Sequence, residues 1–282
     1  MTALGPSVER RVTRLDGGGR HERPDVLTTE EPMEIEVDHF DGAHWREMSL
    51  AVTMRTPGSD FELAAGFLYT EGIVAAPADI AHMEHCPLHG AEQEFNVVKV
   101  RLGEALRLDE AKLHRHFYTT SSCGVCGKTS LEAVRRTFPS GPPPGVPRVS
   151  KAFLIELPAK LRQAQTVFSM TGGLHAAGIF TAAGDRVVVR EDVGRHNALD
   201  KVIGERLLAG ALPLSQAIVA VSGRASFELV QKALSAQVPI LAAVGAASSL
   251  AVDLAREYGM TLVGFLRENG LTVYSGDERT EA

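Results

Sequence analysis

The residues with the most chemical reach are Cys123 and Cys126, in the stretch TTSSCGVCGK at 119–128 of a chain with three cysteines in all. In a reducing compartment such a pair points to reactivity or a metal, because a disulfide framework needs more cysteines and an oxidising location. Four chemistries share the spacing. Structural zinc needs two further ligands; the donors at hand are His82, His85, Cys86 and His89, which read first as a His-rich polar loop and only second as a metal site. A zinc-dependent nucleobase deaminase carries H-x-E ahead of P-C-x-x-C. Here the pair precedes the candidate His175, Ala176 and Ala177 follow that histidine, and no proline precedes Cys123, all of which disfavours hydrolytic deamination. A thioredoxin-like exchanger places its pair between a strand and a helix of a βαβ unit, whereas this one follows a polar and aromatic stretch. The fourth chemistry is sulfur carriage, which needs an accessible thiolate of lowered pKa. Gly124 and Gly127 supply backbone freedom, and Lys128 with the start of a following helix favours the thiolate. Sulfur carriage and dithiol exchange both fit these local features.

The elements that must position this chemistry fall into two regions, as expected for 282 residues at roughly 150 per domain. The first 30 residues, with the Gly17–Gly19 run and many charges, read as a flexible arm. Met33, Ile35 and Val37 alternate with acids, and a second alternating run passes through Met48, Leu50, Val52 and Met54, giving a hairpin about Asp41-Gly42. Ser59 with Glu62 three residues later has the capping-box pattern for a helix running to about Gly72. With a strand over 95–102, residues 31–138 form a β-rich α+β domain ending in the cysteine segment. Pro139 to Arg148, with five prolines and two glycines, reads as a linker. Beyond it, over 149–275, a helix spans 158–168. Apolar strands at 186–189, 217–221, 240–244 and 262–265 then alternate with helices at 197–209, 226–236 and 248–258, predicting a mostly parallel sheet with helices on its faces. Residues 276–282 are left as a tail.

Such a sheet binds ligands beyond the carboxyl ends of its strands. The residues placed there are Glu191-Asp192, Ser222-Gly223-Arg224, Gly245-Ala246-Ala247-Ser248 and Leu266-Arg267-Glu268-Asn269. Helix starts with Gly and Ser leave N–H groups for an anion, and Arg224 and Arg267 add charge; the same residues also suit solvated, capped loops. Asp192, Arg195, His196, Asn197, Asp200 and Lys201 crowd one segment and suit either a ligand or a buried ion network. The net charge of −6 excludes a general nucleic-acid binder, which carries a basic surplus. No run approaches the ~18 apolar residues of a membrane span, and no apolar leader opens the chain, so a cytoplasmic protein with no membrane association is expected.

Several segments together resemble the FdhD/NarQ family of formate dehydrogenase accessory sulfurtransferases: TSSCGVCGK at 120–128, MTGGLHAAGIF at 170–180, REDVGRHNALDKVIG at 190–204, SGRASFELVQKAL at 222–234 and LVGFLRENGLTVYS at 262–275. The resemblance runs from about Pro32 to Ser275. It implies an α/β protein whose C-terminal domain has the cytidine-deaminase-like α/β/α fold. It implies that sulfur passes from a cysteine desulfurase to the cysteine pair, with Cys123 bearing the persulfide and Cys126 its partner in transfer. The acceptor would be molybdenum in Mo-bis(molybdopterin guanine dinucleotide), before that cofactor enters formate dehydrogenase. Phe265, Leu266, Arg267, Glu268, Asn269 and Gly270 match the family's cofactor-binding stretch. A homodimer without an intrinsic metal is also implied.

Overall fold

The computed structural model describes residues 5–86, 95–108 and 140–281. Cys123, Cys126 and His89 lie outside the described residues. The chain opens with a two-stranded ribbon, β1 (Ser7–Asp16) and β2 (Gly19–Thr28), where the sequence suggested an arm. The Gly-Gly pair between two ten-residue strands is a two-residue hairpin turn, and Asp16 Oδ1 accepts from the Gly18 N–H at 2.9 Å. The ribbon hides little surface on either face, so its sequence lacks the apolar alternation by which strands are recognised. Its last residue is tied to the body by Thr28 Oγ1 donating to Thr171 Oγ1 at 2.9 Å.

The first body sheet has strand order β4-β3-β6-β5, built from β3 (Glu31–Phe40), β4 (Trp45–Arg55), β5 (Ile80–His85) and β6 (Val97–Leu102). Met33, Ile35 and Val37 of β3, with Val98 and Val100 of β6, pack under Leu63 and Leu68 of α1 (Asp60–Thr70). The expected capping box is not made. Ser59 sits at φ 57° without a side-chain cap, and Glu62 turns away to take both Arg190 Nε and Nη2, the latter at 2.7 Å.

The second sheet is a six-stranded layer of order β13-β12-β11-β10-β8-β9. Its strands are β8 (His175–Phe180), β9 (Arg186–Asp192), β10 (Ile218–Val221), β11 (Ile240–Ala243), β12 (Thr261–Arg267) and β13 (Gly270–Ser275). Helices α4 (Arg195–Leu208), α5 (Phe227–Ser235) and α6 (Ser249–Glu257) cover one face and α2 (Lys151–Ala164) the other, while α3 (Thr166–Thr171) follows α2. Successive strand residues enter opposite cores: Val219 and Val221 pack on the three-helix side, Ile218 and Ala220 on the α2 side. Both faces are buried, so these strands read as unbroken apolar runs.

The sheet corrects the expectation of a mostly parallel layer. Only β10/β11 and β11/β12 pair in parallel; β8 pairs antiparallel with both β9 and β10, and β13 antiparallel with β12. Strands β8 and β13 went unread because each is half of a tight hairpin and carries small or polar residues. Four of the six strands, β9 to β12 without β8's direction, still point the same way, so their carboxyl ends share one edge. The helix expected over 158–168 begins earlier, at Lys151, where the Ser150 hydroxyl accepts from the Phe153 N–H.

Two further readings change. Within the proline-rich segment, the Pro143 and Val146 carbonyls accept from the guanidinium of Arg279, at 2.6 and 3.0 Å. Arg279 is fully buried and also donates to Gly259 O and Thr261 Oγ1. The residues read as a tail pair with the start of the second region, β7 (Val149–Ser150) lying parallel to β14 (Thr280–Glu281). Linker and tail are thus packed parts of the body, held by a buried charge whose N–H groups are met chiefly by backbone carbonyls.

Candidate functional site

The common carboxyl edge of β9 to β12 gathers most of the polar residues singled out in the sequence. The ends of the three central strands are laddered to each other beyond the sheet itself. Gly245 N donates to Gly223 O at 2.8 Å, Phe265 N to Gly245 O at 3.0 Å, and Ser248 N to Ala225 O at 3.0 Å. Glycine is required here by close approach: a Cβ on Gly245 would lie 2.9 Å from Gly223 O and from Arg224 Cα, and one on Gly264 would lie 3.0 Å from Gly245 O. The strand ends are thus joined main chain to main chain.

Around that edge stand the charged groups. Arg224 and Arg267 are exposed, and Arg267 Nη1 is steadied by the Val244 carbonyl at 2.7 Å. On the other flank, Gly223 lies between His175 and Arg195; a Cβ there would sit 3.5 Å from His175 Nδ1 and 3.6 Å from Arg195 Cδ. His175 Nδ1 is 3.5 Å from Ser222 Oγ, and burial together with the Arg195 charge lowers its pKa. Arg195 Nε is buried and has no hydrogen-bond partner among the described residues. Arg195 opens α4, whose N-cap Gly194 offers no side-chain oxygen. A buried guanidinium nitrogen left unpaired beside an uncapped helix start suits an anionic ligand.

The crowded segment 192–201 divides in two. Asp192 is fully buried and saturated, taking Lys201 Nζ at 2.7 Å, Gly194 N at 2.8 Å, and Thr56 N and Asn197 Nδ2 at 3.1 Å each. Lys201 donates as well to Thr56 O and Glu191 O. Asp200 takes Lys232 Nζ at 2.9 Å and Thr70 Oγ1 at 2.8 Å. Asp192, Asn197, Asp200 and Lys201 are therefore the buried ion network of the two earlier readings, and Thr56 and Thr70 carry it across to the N-terminal region. His196 lies within 3.2 Å of Glu228, and burial with the Arg195 and Lys232 charges drives its pKa down to about 3, so it is neutral. Arg195 alone of the six keeps unspent donor capacity among the described residues.

The stretch 265–270 is less a loop than the sequence suggested. Phe265, Leu266 and Arg267 complete β12, Glu268 and Asn269 make the turn, and Gly270 starts β13. Leu266 is buried and packs into the α2-side core. Phe265 has φ 51°, and the residue stays 47% exposed at a register shift between Gly264 and Arg267. Sequence reasoning missed Arg195's open donor and the role of Gly223; glycines at successive strand ends were the available signal. In the His-rich stretch, His82 and His85 are three residues apart on β5 and so face opposite ways. His85 is stacked on Phe61 at 4.9 Å and edge-on to Phe95 at 5.4 Å, and burial raises the Cys86 thiol pKa.

Fold and edge together define an α/β protein whose six-stranded sheet, covered by helices on both faces, gathers arginines at the carboxyl ends of its strands. The FdhD/NarQ family model matches residues 28–281, and the chain belongs to that family. It is 51% identical over 283 residues to the sulfur carrier protein FdhD of Streptomyces coelicolor, covering 98% of this chain and 96% of that one. With the protein of the same name from Mycolicibacterium paratuberculosis the identity is 53% over 272 residues, covering 96% and 97%. A crystal structure from Desulfotalea psychrophila, described as a formate dehydrogenase accessory protein, matches with a TM-score of 0.74 at 23% identity, covering 98% of this chain and 100% of that one; it shares the fold. Among the described residues no helix is long and apolar enough to cross a membrane.

Proposed function

We propose that the protein is a sulfurtransferase of formate dehydrogenase maturation. Cys123 accepts sulfane sulfur from a cysteine desulfurase and, with Cys126 as partner, passes it to Mo-bis(molybdopterin guanine dinucleotide) bound as acceptor. The observation that carries this reading is the near-full-length relation, at about half identity, to proteins named sulfur carriers. The loading step is a thiol exchange. The Cys123 thiolate attacks the terminal sulfur of the donor's persulfide, the new S–S bond forms as the old one breaks, and the donor's thiolate leaves. The acceptor carries two pyrophosphates and two guanines. Arg224, Arg267 and the unpaired Arg195 Nε suit the phosphates, and Phe265 to Gly270 line the same edge. When bound, the acceptor supplies the metal that receives the sulfur; this chain's residues hold and orient it. The protein works in the cytoplasm, as a homodimer.

The test is mass spectrometry of the protein after incubation with a cysteine desulfurase and cysteine. An adduct of one sulfur atom mapping to Cys123 is expected, lost in Cys123→Ala together with formate dehydrogenase activation. Arg267→Ala is expected to keep the adduct and weaken guanine-nucleotide binding. Unchanged activation by Cys123→Ala would leave a cofactor chaperone with a docking or structural cysteine pair.

A further inference from the structure

The ribbon of β1 and β2 stands out from the body with little of either face covered. A two-stranded hairpin on its own is marginal in water, so strands of ten residues each held this open need a surface to pack on. The two faces differ. Val8 pairs with Leu27, Arg10 with Asp25 and Val12 with Arg23, and because side chains alternate along a strand, these six share one face. Thr28 lies on the other face and seats the ribbon, through its bond to Thr171 and its closeness to Gly173, where a Cβ would come within 2.7 Å of Thr28 Oγ1. The Val8 face therefore looks away from α3. Val8 and Val12 are half-buried, Leu27 is exposed, and none of the three belongs to a core cluster.

The charges on that face fit a second copy of itself. Arg10 donates to the Glu9 carbonyl and has no carboxylate partner among the described residues. Asp25, opposite it in register, turns along its own strand toward Arg23 at 3.7 Å, with 42% of its side chain exposed. Nearer the tip, Arg14 and His21 share Asp16, so that end is closed within the ribbon. We propose that the Val8 face is where a second copy of the chain docks, the two ribbons stacking about a two-fold axis that runs along their strands. Strand β1 of one copy then lies over β2 of the other, which puts Val8 over Leu27 and Arg10 over Asp25, each contact made twice. In the next row Val12 covers the stem of Arg23. This rests on the homodimer of the preceding section and assigns it a surface. Ten residues at about 3.3 Å each, in two strands about 4.8 Å apart, make a face of roughly 30 by 10 Å. That is at the small end of specific interfaces, so the dimer is reversible and the Arg10 to Asp25 contacts decide which copies pair.

Sedimentation velocity of the full chain over a concentration series tests this, for wild type, Arg10→Asp, Asp25→Arg and an equimolar mixture of the two variants. In either variant alone the two attractive contacts become two repulsive ones, and the dimer dissociation constant is expected to rise roughly 10-fold or more. In the mixture, the acidic face of Arg10→Asp meets the basic face of Asp25→Arg. Every contact between copies is again of opposite sign, and heterodimers are expected with about the wild-type affinity. The pairs within each ribbon stay like-charged in the mixture, so recovery there does not come from a repaired hairpin. Monomeric wild type throughout the series would remove the homodimer and the docking face together. A wild-type dimer matched by both variants would remove the docking face alone. Losses in both variants without recovery on mixing would make the charges internal to the ribbon, which also overturns the proposal. Sulfur loading of Cys123, read by mass on the same samples, is expected in wild type and both variants, and so separates these outcomes from the sulfurtransferase reading.

Discussion

Helices α1 and α4 cross at two glycines, and the crossing sets a prediction whose sign opposes ordinary helix propensity. Alanine in place of glycine inside a helix normally stabilises by about 1 kcal/mol. Here a Cβ on Gly204 would lie 1.9 Å from Glu62 O and 2.6 Å from Gly66 N, and one on Gly66 would lie 1.9 Å from Asp200 O. Ordinary contact begins at 3.4 Å, so Gly204→Ala demands that the helices part by roughly the difference, against main chain that has no rotamer to change. Parting them also pulls Glu62 from Arg190 and draws Asp200 and Thr70, on opposite helices, away from each other. Overpacking costs about 1–3 kcal/mol and occasionally more. With the linked polar contacts, a net loss of ~2–4 kcal/mol is expected after the propensity gain. At about 2–4 °C per kcal/mol for chains of this order of size, the Tm should fall by roughly 4–16 °C, read by circular dichroism. Gly204→Ser should fall at least as far. A Tm equal to or above wild type for Gly204→Ala would refute the close crossing and the argument built on it.

Two other outcomes follow from the buried charges. Burial works against the Lys232 ammonium, but the Asp200 and Glu71 carboxylates outweigh it and raise its pKa; Lys232→Met leaves Asp200 uncompensated and should cost about 3–5 kcal/mol, with Asp200→Asn added to it recovering much of the loss, as a double-mutant cycle in urea would measure. For His196, the folded pKa of about 3 lies below the ordinary histidine value of 6.5, so the unfolded chain binds the extra proton. Its contribution is therefore fully present above about pH 6.5 and is lost as pH falls toward 3, with a slope of at most ~1.4 kcal/mol per pH unit. Stability curves for wild type and His196→Gln should converge across that window, and parallel curves would contradict a neutral, buried His196.

What could be read in advance follows from how many neighbours each signal needs. The strands β10 and β11 and the caps Ser226 and Ser248 were legible because burial on both sheet faces and N-capping leave marks within a few residues of sequence. The ribbon was missed because neither face is covered, and Glu62 was read as a local cap because its real partner, Arg190, is 128 residues away. The residues expected at the carboxyl ends of β9 to β12 do lie there, although the sheet is not mostly parallel. Whether Asp192 or Arg195 keeps an unpaired polar atom was not legible: both are charged, Asp192 ends β9 and Arg195 opens α4 three residues on, and they differ in how many donors or acceptors the fold brings to them.

That difference also explains how an acidic chain can present a cationic edge. Two carboxylates beside the edge, Asp192 and Glu191, are already satisfied by the protein, whereas Glu268 in the turn between β12 and β13 is exposed. Asp192 takes four donors, and Glu191 accepts from the Val167 and Phe168 N–H groups at 3.0 and 2.7 Å. Each such bond holds negative charge inside the protein and away from the strand ends, so that Arg195, Arg224 and Arg267 outweigh the exposed Glu268 in the local field. Part of the neutralisation comes from Thr56, in the turn after β4. The first region thus shapes the edge without lining it: were Thr56 withdrawn, Asp192 would lose one donor and Lys201 one acceptor, and the balance of charge beside Arg195 would change. The contact between the two regions is accordingly part of the electrostatics of the site.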